Sequence, residues 1–315
     1  MSNLQHCTSL QDATGKIDYR LMNDCMFHVV FQKNPRALRG LCASLLHITP
    51  EEITSVEVLN PIEFGEHPKD KEFILDLKVK LNNYRILNFE VQVIDENNWP
   101  ERSLSYACRT FDQLMQGEDY LRAKPVFHIG FLDFDLKHLS PEFYATFKLL
   151  NVKNHEIYSD KFILSMVNLN QIELATEEDR KYGIDHWARL FKADTWEAIK
   201  KMAQENTYVS DAAETLLQSN QDLKIRSYCE AVEEARRVRR GLERQVAEKD
   251  EVIAEKDEAL AKKDEVIAEK DEVIAEKDEV IAEKDEVIAE KDEVLAEKDA
   301  EIARLTALLA AKQQQ

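Results

Sequence analysis

The sequence predicts an α/β protein: an αβββαβ core with a mixed sheet, then a helical region, then a long C-terminal heptad-repeat helix. Three observations predict it. Amphipathic helical stretches precede a run of short β-branched segments, and a further helix and a nearly unbroken apolar strand follow them. From Glu248 a seven-residue unit then recurs in tandem as far as Ala303.

Taken in order, a polar leader (1–17) gives way to "DYRLMNDCMFHVVFQ". Leu21, Cys25, His28 or Val29, and Gln32 recur there on successive turns, and Met22, Met26, Phe27 and Val30 widen the apolar face, which predicts a helix. "NPRALRGLCASLLH" predicts a second, with Pro35 suited to the first helical position. "ITSVEVLN", bounded by Pro50 and Pro61, reads as a strand. "FILDLKVKLNNYRILNFEVQV" (73–93) reads as a hairpin, and "ERSLSYACRTFDQLMQGEDY" as a helix running to Gly117. "KPVFHIGFLDF" suits a strand buried on both faces. "FYATFKLLN" and "KFILSMVNLN" add strands, and from about Glu178 the pattern is helical through to Arg240.

Composition narrows the function classes. From Glu248 onward 11 basic and 23 acidic residues carry −12 of the formal charge of −19, so the body holds only −7 and leaves room for a basic patch facing nucleic acid. No signal-like leader and no run of eighteen apolar residues is present, which predicts a soluble, cytoplasmic protein with no membrane partner. The five cysteines lie far apart with no CxxC, so they read as reduced thiols and core fillers. Without a GxGxxG or Walker loop, and with seven glycines in all, nucleotide-dependent chemistry is disfavoured.

The hairpin carries the candidate chemistry. In its first strand Phe73, Leu75, Leu77, Val79 and Leu81 share one face, and Ile74, Asp76, Lys78 and Lys80 the other. In the second, Leu87, Phe89, Val91 and Val93 oppose Asn88, Glu90 and Gln92. Burying both apolar sets together requires paired residue numbers with an even sum, and 166 fits, with Asn82, Asn83 and Tyr84 as the loop; a two-residue Asn-Asn turn would give 165 unless a bulge restored the register, so an odd loop or a bulge is expected. Asp76 then falls across from Glu90, roughly 5 Å apart at Cβ, with Gln92 one step along. Two carboxylates that close need a cation between them, and a hard divalent ion supplies it. Such a pair is also compatible with the wet face of a two-sided sheet, but helices immediately before and after the strands argue for a cleft.

An αβββαβ core with Asp on the second strand and Glu-x-Lys on the third looks like the PD-(D/E)XK nuclease superfamily and its restriction-endonuclease-like fold. Here Leu75-Asp76 stands for the "PD" step and Glu90-Val91-Gln92 for "EXK", so Gln92 replaces the usual lysine. With "MNDCMFHVVF" upstream and "RSLSYACRTFDQLMQGEDY…KPVFHIGFLDF" downstream, residues 18–170 resemble the Rpn (recombination-promoting nuclease/putative transposase) family. The resemblance implies a metal-dependent DNA endonuclease, with Asp76 and Glu90 holding Mg²⁺ or Mn²⁺ and Gln92 orienting water, but without lysine's positive charge.

Lys78, on the same face, is a candidate for that charge. Asp24 matches an acidic position in the family's first helix and is either a further carboxylate of the metal shell or a helix-surface residue. Arg102, Tyr106, Arg109 and Gln113 form one helical stripe suited to a DNA strand, with a solvated helix face as the competing reading.

The tail, "EKDEVIA" repeated, places Val273, Ile274 and Ala275 side by side. Choosing Ile274 as a core position leaves Lys277 or Asp278 at the next, and Glu272 repels Glu276, so a weakly self-associating helix is expected. The boundaries are then 1–17 leader, 18–175 nuclease-like domain, 176–247 helical extension and 248–315 heptad helix. The alternative function is a catalytically weakened DNA- or protein-binding module, or a coiled-coil scaffold, on the same fold.

Overall fold

A computed structural model describes residues 8–60, 62 and 77–312, with side chains described as far as residue 308. Helix α1 (Asp24–Lys33) starts at Asn23, whose side chain accepts from the Met26 N–H. Asn34 ends α1 and starts α2 (Pro35–Leu45), accepting from the Ala37 N–H, with Pro35 in the first turn where no donor is lost.

Six strands follow: β1 (Val56–Val58), β2 (Leu77–Leu81), β3 (Arg85–Gln92), β4 (Val126–Leu132), β5 (Tyr144–Leu150) and β6 (Ile157–Asn168). They form one sheet in the order β1-β2-β3-β4-β6-β5. The hairpin neighbours pair antiparallel, whereas β3/β4 and β4/β6 pair parallel, so the sheet is mixed as the sequence predicts. Helix α3 (Trp99–Phe111) makes the crossover that the parallel β3/β4 pair requires.

The hairpin register is the predicted one. Leu77 pairs with Phe89 and Lys78 with Asn88, a sum of 166, and the chain turns through Asn82, Asn83 and Tyr84. Asn82 and Asn83 take positive φ of 49° and 61°, a conformation asparagine tolerates better than most residues. The Asn82 carboxamide also accepts from the Thr54 and Ser55 N–H groups and donates to the Glu52 carbonyl, fastening the turn to the chain before β1. The first part of the hairpin, including Asp76, lies outside the described residues.

One expectation is corrected. Helix α3 stops at Phe111 rather than running to Gly117. Beyond it the Gln113 N–H turns back to the Phe111 carbonyl at 2.8 Å, which breaks the helical ladder, while the Phe111 ring packs edge-on against Phe162 of β6 and fixes the helix end. Gly117 sits instead in a later turn at φ 89°.

The two faces of the sheet differ in chemistry. On one, Phe89 and Phe131 meet Phe27 of α1 and Phe191 of α5 (Ile184–Lys192), with Phe31 and Trp187 completing an aromatic cluster. Helices α6 (Trp196–Ala203) and α7 (Thr207–Gln221) enclose this core, after the short α4 (Glu177–Lys181). The other face is covered by α3, and there Asn88, Glu90, Gln92 and His128 stand beside a small apolar cluster of Trp99, Leu132, Ala145 and Met166.

The chain divides into two compact units, Met1–Arg236 and Arg237–Gln315. Helix α8 (Leu223–Lys312) contributes to both. Within the first unit its Ile225, Cys229 and Val232 are buried at helical spacing. In the second, the Val-Ile repeats are exposed to the same degree: Val273 and Ile274 are 46 % and 55 % exposed, Val280 and Ile281 47 % and 55 %. The i,i+4 ion pair Lys262–Glu258 forms in the one repeat where lysine replaces the usual glutamate.

Candidate active site

The polar face of β3 builds the site. Strand alternation turns Phe89 and Val91 into the aromatic core and Asn88, Glu90 and Gln92 toward α3. Glu90 is 2 % exposed. Its Oε1 accepts from Arg102 Nε, a charge-assisted contact from the first half of α3, and from Gln92 Nε2 at 3.1 Å. Its Oε2 is buried and has no hydrogen-bond partner among the described residues; His128 Nε2 is 3.6 Å away.

Parallel pairing of β3 with β4 places the next layer. Asn88 pairs with His128 and Glu90 with Gly130. Asn88 Nδ2 lies 3.0 Å from His128 Nδ1, and an amide donating there leaves the imidazole proton on Nε2, toward Glu90. The Tyr106 ring stacks on His128 at 6.2 Å with a 9° interplanar angle, and the Arg102 guanidinium lies 5.2 Å over Tyr106. Trp99 closes the far side by lying against Gly130. A Cβ at Gly130 would fall 2.1 Å from the indole, so only glycine admits the ring beside Glu90.

Burial lowers the His128 pKa from 6.5 to about 4, with the Arg102 charge assisting. The ring is therefore neutral at neutral pH. The unfolded chain takes up this proton as pH falls through 6.5, whereas the folded protein does so only near 4, so stability is lost across that window. The loss amounts to about 3 kcal/mol. Urea midpoints at about pH 7 and about pH 4.5 should differ less in His128→Gln than in the wild type.

Asp24, in the first turn of α1, is 16 % exposed and ion-paired with Arg236 of α8, so it is not a helix-surface residue. Burial raises its pKa; Arg236 opposes that shift, and the nearby Glu90 charge adds to it. Two acids and two arginines, Asp24, Glu90, Arg102 and Arg236, thus sense one another.

The structure brings Glu90, Gln92, Arg102 and Tyr106 together. Lys78 is half-buried opposite Asn88, and the cation on Glu90 is Arg102. Arg109 is exposed, and Gln113 lies beyond the helix with its amide on the Lys124 carbonyl, so the predicted stripe shortens. Asn88 and His128 were not singled out from sequence; the signal was a histidine and a glycine interrupting the apolar run of β4. Among the described residues no group of three or more His, Cys, Asp or Glu side chains is arranged to hold a metal, and Asp76 is not among them.

The mixed sheet carries on its central strand a buried glutamate two residues from a glutamine, beneath a helix bearing arginine. The family model described as PD-(D/E)XK nuclease family transposase matches residues 21–241, and the chain belongs to that family. No curated protein and no solved structure matches it significantly. Nucleases of this class typically use divalent metals, and the transposase family implies DNA. No helix among the described residues is long and apolar enough to cross a membrane. Glu90 Oε2, buried and without a hydrogen-bond partner among the described residues, is one oxygen of the type a hard divalent cation takes.

Proposed function

We propose that the protein is a divalent-metal-dependent DNA endonuclease that hydrolyses phosphodiester bonds. The observation that supports this best is the Glu90 carboxylate, with one oxygen fixed by Arg102 and Gln92 and the other buried without a hydrogen-bond partner among the described residues, one residue from the Phe89–Leu77 pair. Asp76, outside the described residues, precedes Leu77 in sequence, and the sequence register of 166 would set it against Glu90 if the pairing continues by one residue.

Asp76 and Glu90 would then hold Mg²⁺ or Mn²⁺. When bound, such an ion lowers the pKa of its water and offsets charge on the scissile phosphate. The chain's own residues do the rest. Arg102 and Gln92 hold the Glu90 carboxylate in one orientation, and the neutral His128 Nε2–H faces its second oxygen without adding charge. Gln92 orients water through its amide but brings no positive charge to the phosphate. The exposed Arg109 offers a guanidinium to a DNA strand.

The amide in place of lysine favours a second reading, a DNA-binding module with weakened catalysis. Incubating the protein with supercoiled plasmid and Mg²⁺ or Mn²⁺ separates the two. The endonuclease nicks the plasmid, and chelation stops it. A binding module retards the plasmid and leaves it supercoiled. Lys78→Ala in the same assay tests whether Lys78 supplies the missing charge: unchanged nicking removes it from the mechanism.

A further inference from the structure

We infer that Cys25 and Cys229 are a modification site, a thiol pair that a peroxide converts to a disulfide joining α1 to α8. The two Sγ atoms lie 2.7 Å apart, and both residues are free thiols, 1 % and 0 % exposed. This is closer than unbonded sulfurs rest and about 0.7 Å beyond a covalent S–S bond.

The contacts around the pair hold the two helices in place. Asn23 Nδ2 donates to Glu233 Oε1 at 2.7 Å, Asp24 pairs with Arg236, and Arg226 Nη1 meets Asp18 Oδ2 at 3.0 Å. Ile225 and Val232 are buried on either side of Cys229 along α8. The sulfurs themselves need to close by only about 0.7 Å for the bond to form.

The chemistry closes with peroxide as the two-electron oxidant. One sulfur attacks a peroxide oxygen, the O–O bond breaks, and a sulfenic acid and one water result. The second sulfur then attacks the sulfenic sulfur, forming the S–S bond and releasing the oxygen as a second water. The two thiol hydrogens end in those waters, the sulfurs are oxidised, and the peroxide is reduced.

Contact with Cys229 and burial hold the Cys25 thiol far above its ordinary range, and the thiolate is the attacking species. Oxidation therefore proceeds from transient opening of the α1–α8 contact and lags behind the exposed Cys108. Once formed, the bond makes covalent the helix contact that carries Arg236 to Asp24. It also links residues 204 positions apart, a long loop whose closure restricts the unfolded chain strongly.

The test treats the full chain with hydrogen peroxide, unfolds it, alkylates remaining thiols, digests without reductant and maps the peptides by mass spectrometry. The expected result is a Cys25–Cys229 linked peptide that reduction abolishes. A rise in melting temperature of about 5–10 °C should accompany it and be missing in Cys229→Ala. Recovery of both cysteines as alkylated thiols, with Cys108 oxidised in the same sample, overturns the inference. Because the linked peptide is sought in the wild-type chain, the result does not depend on the variant folding.

Discussion

Glu90→Gln is expected to lower Mg²⁺-dependent plasmid nicking by about 10²–10³-fold. The substitution keeps the size and hydrogen-bonding reach of the side chain but removes the charge that a divalent ion needs. It spares the fold for a stated reason: Arg102, left without its carboxylate, is 32 % exposed and turns its guanidinium to water. Circular dichroism should therefore match the wild type while activity falls. Asp76→Asn should produce a loss of the same order if the two acids act on one ion. Nicking that survives both substitutions places the chemistry elsewhere in the chain.

Removing the other half of the pair has the opposite profile. Arg102→Met strands the Glu90 carboxylate, which is 2 % exposed, with only the Gln92 amide donating to it within hydrogen-bonding distance among the described residues. Breaking a buried ion pair from one side usually costs 3–5 kcal/mol, and the partial exposure of Arg102 reduces that to about 2–4 kcal/mol. For a unit of this size the melting temperature should drop by roughly 5–12 °C. Combining Arg102→Met with Glu90→Gln should restore part of it, because the uncompensated charge is gone. Thermal melts of the three variants read this directly; a double variant less stable than Arg102→Met alone would show that the pair is not what holds α3 to β3.

The contrast between these two variants reflects how the site is made, and it bears on what the sequence could disclose. The hairpin register was legible because strand alternation is local: Leu77, Val79, Leu87 and Phe89 cannot all be buried together in any odd register. The turn was legible for a similar reason, since two consecutive asparagines accept positive φ. Proline at the start of α2 and the apolar run of β4 were equally local signals.

What escaped depends on contacts between distant segments. The end of α3 is set by Phe111 against Phe162, fifty-one residues away in a strand whose position no local pattern fixes. The Asn88–His128 pair exists only because β3 and β4 run parallel in one particular register. Asp24 looked like a helix-surface acid because its partner, Arg236, comes from a helix that begins after the sheet is complete. The heptad segment is the reverse case: its period is unmistakable, yet the adjacent apolar pair of each unit, Val-Ile in most, gives no two-position seam, and Val273 and Ile274 remain about half exposed.

Calorimetric titration of Mn²⁺ into the protein, beside Asp76→Asn and Glu90→Gln, reaches the central claim without relying on turnover. If the two carboxylates share an ion, the wild type shows saturable binding at one site, and each substitution weakens it by about tenfold or more. Equal affinity in all three proteins, or no heat of binding in any of them, would contradict the account.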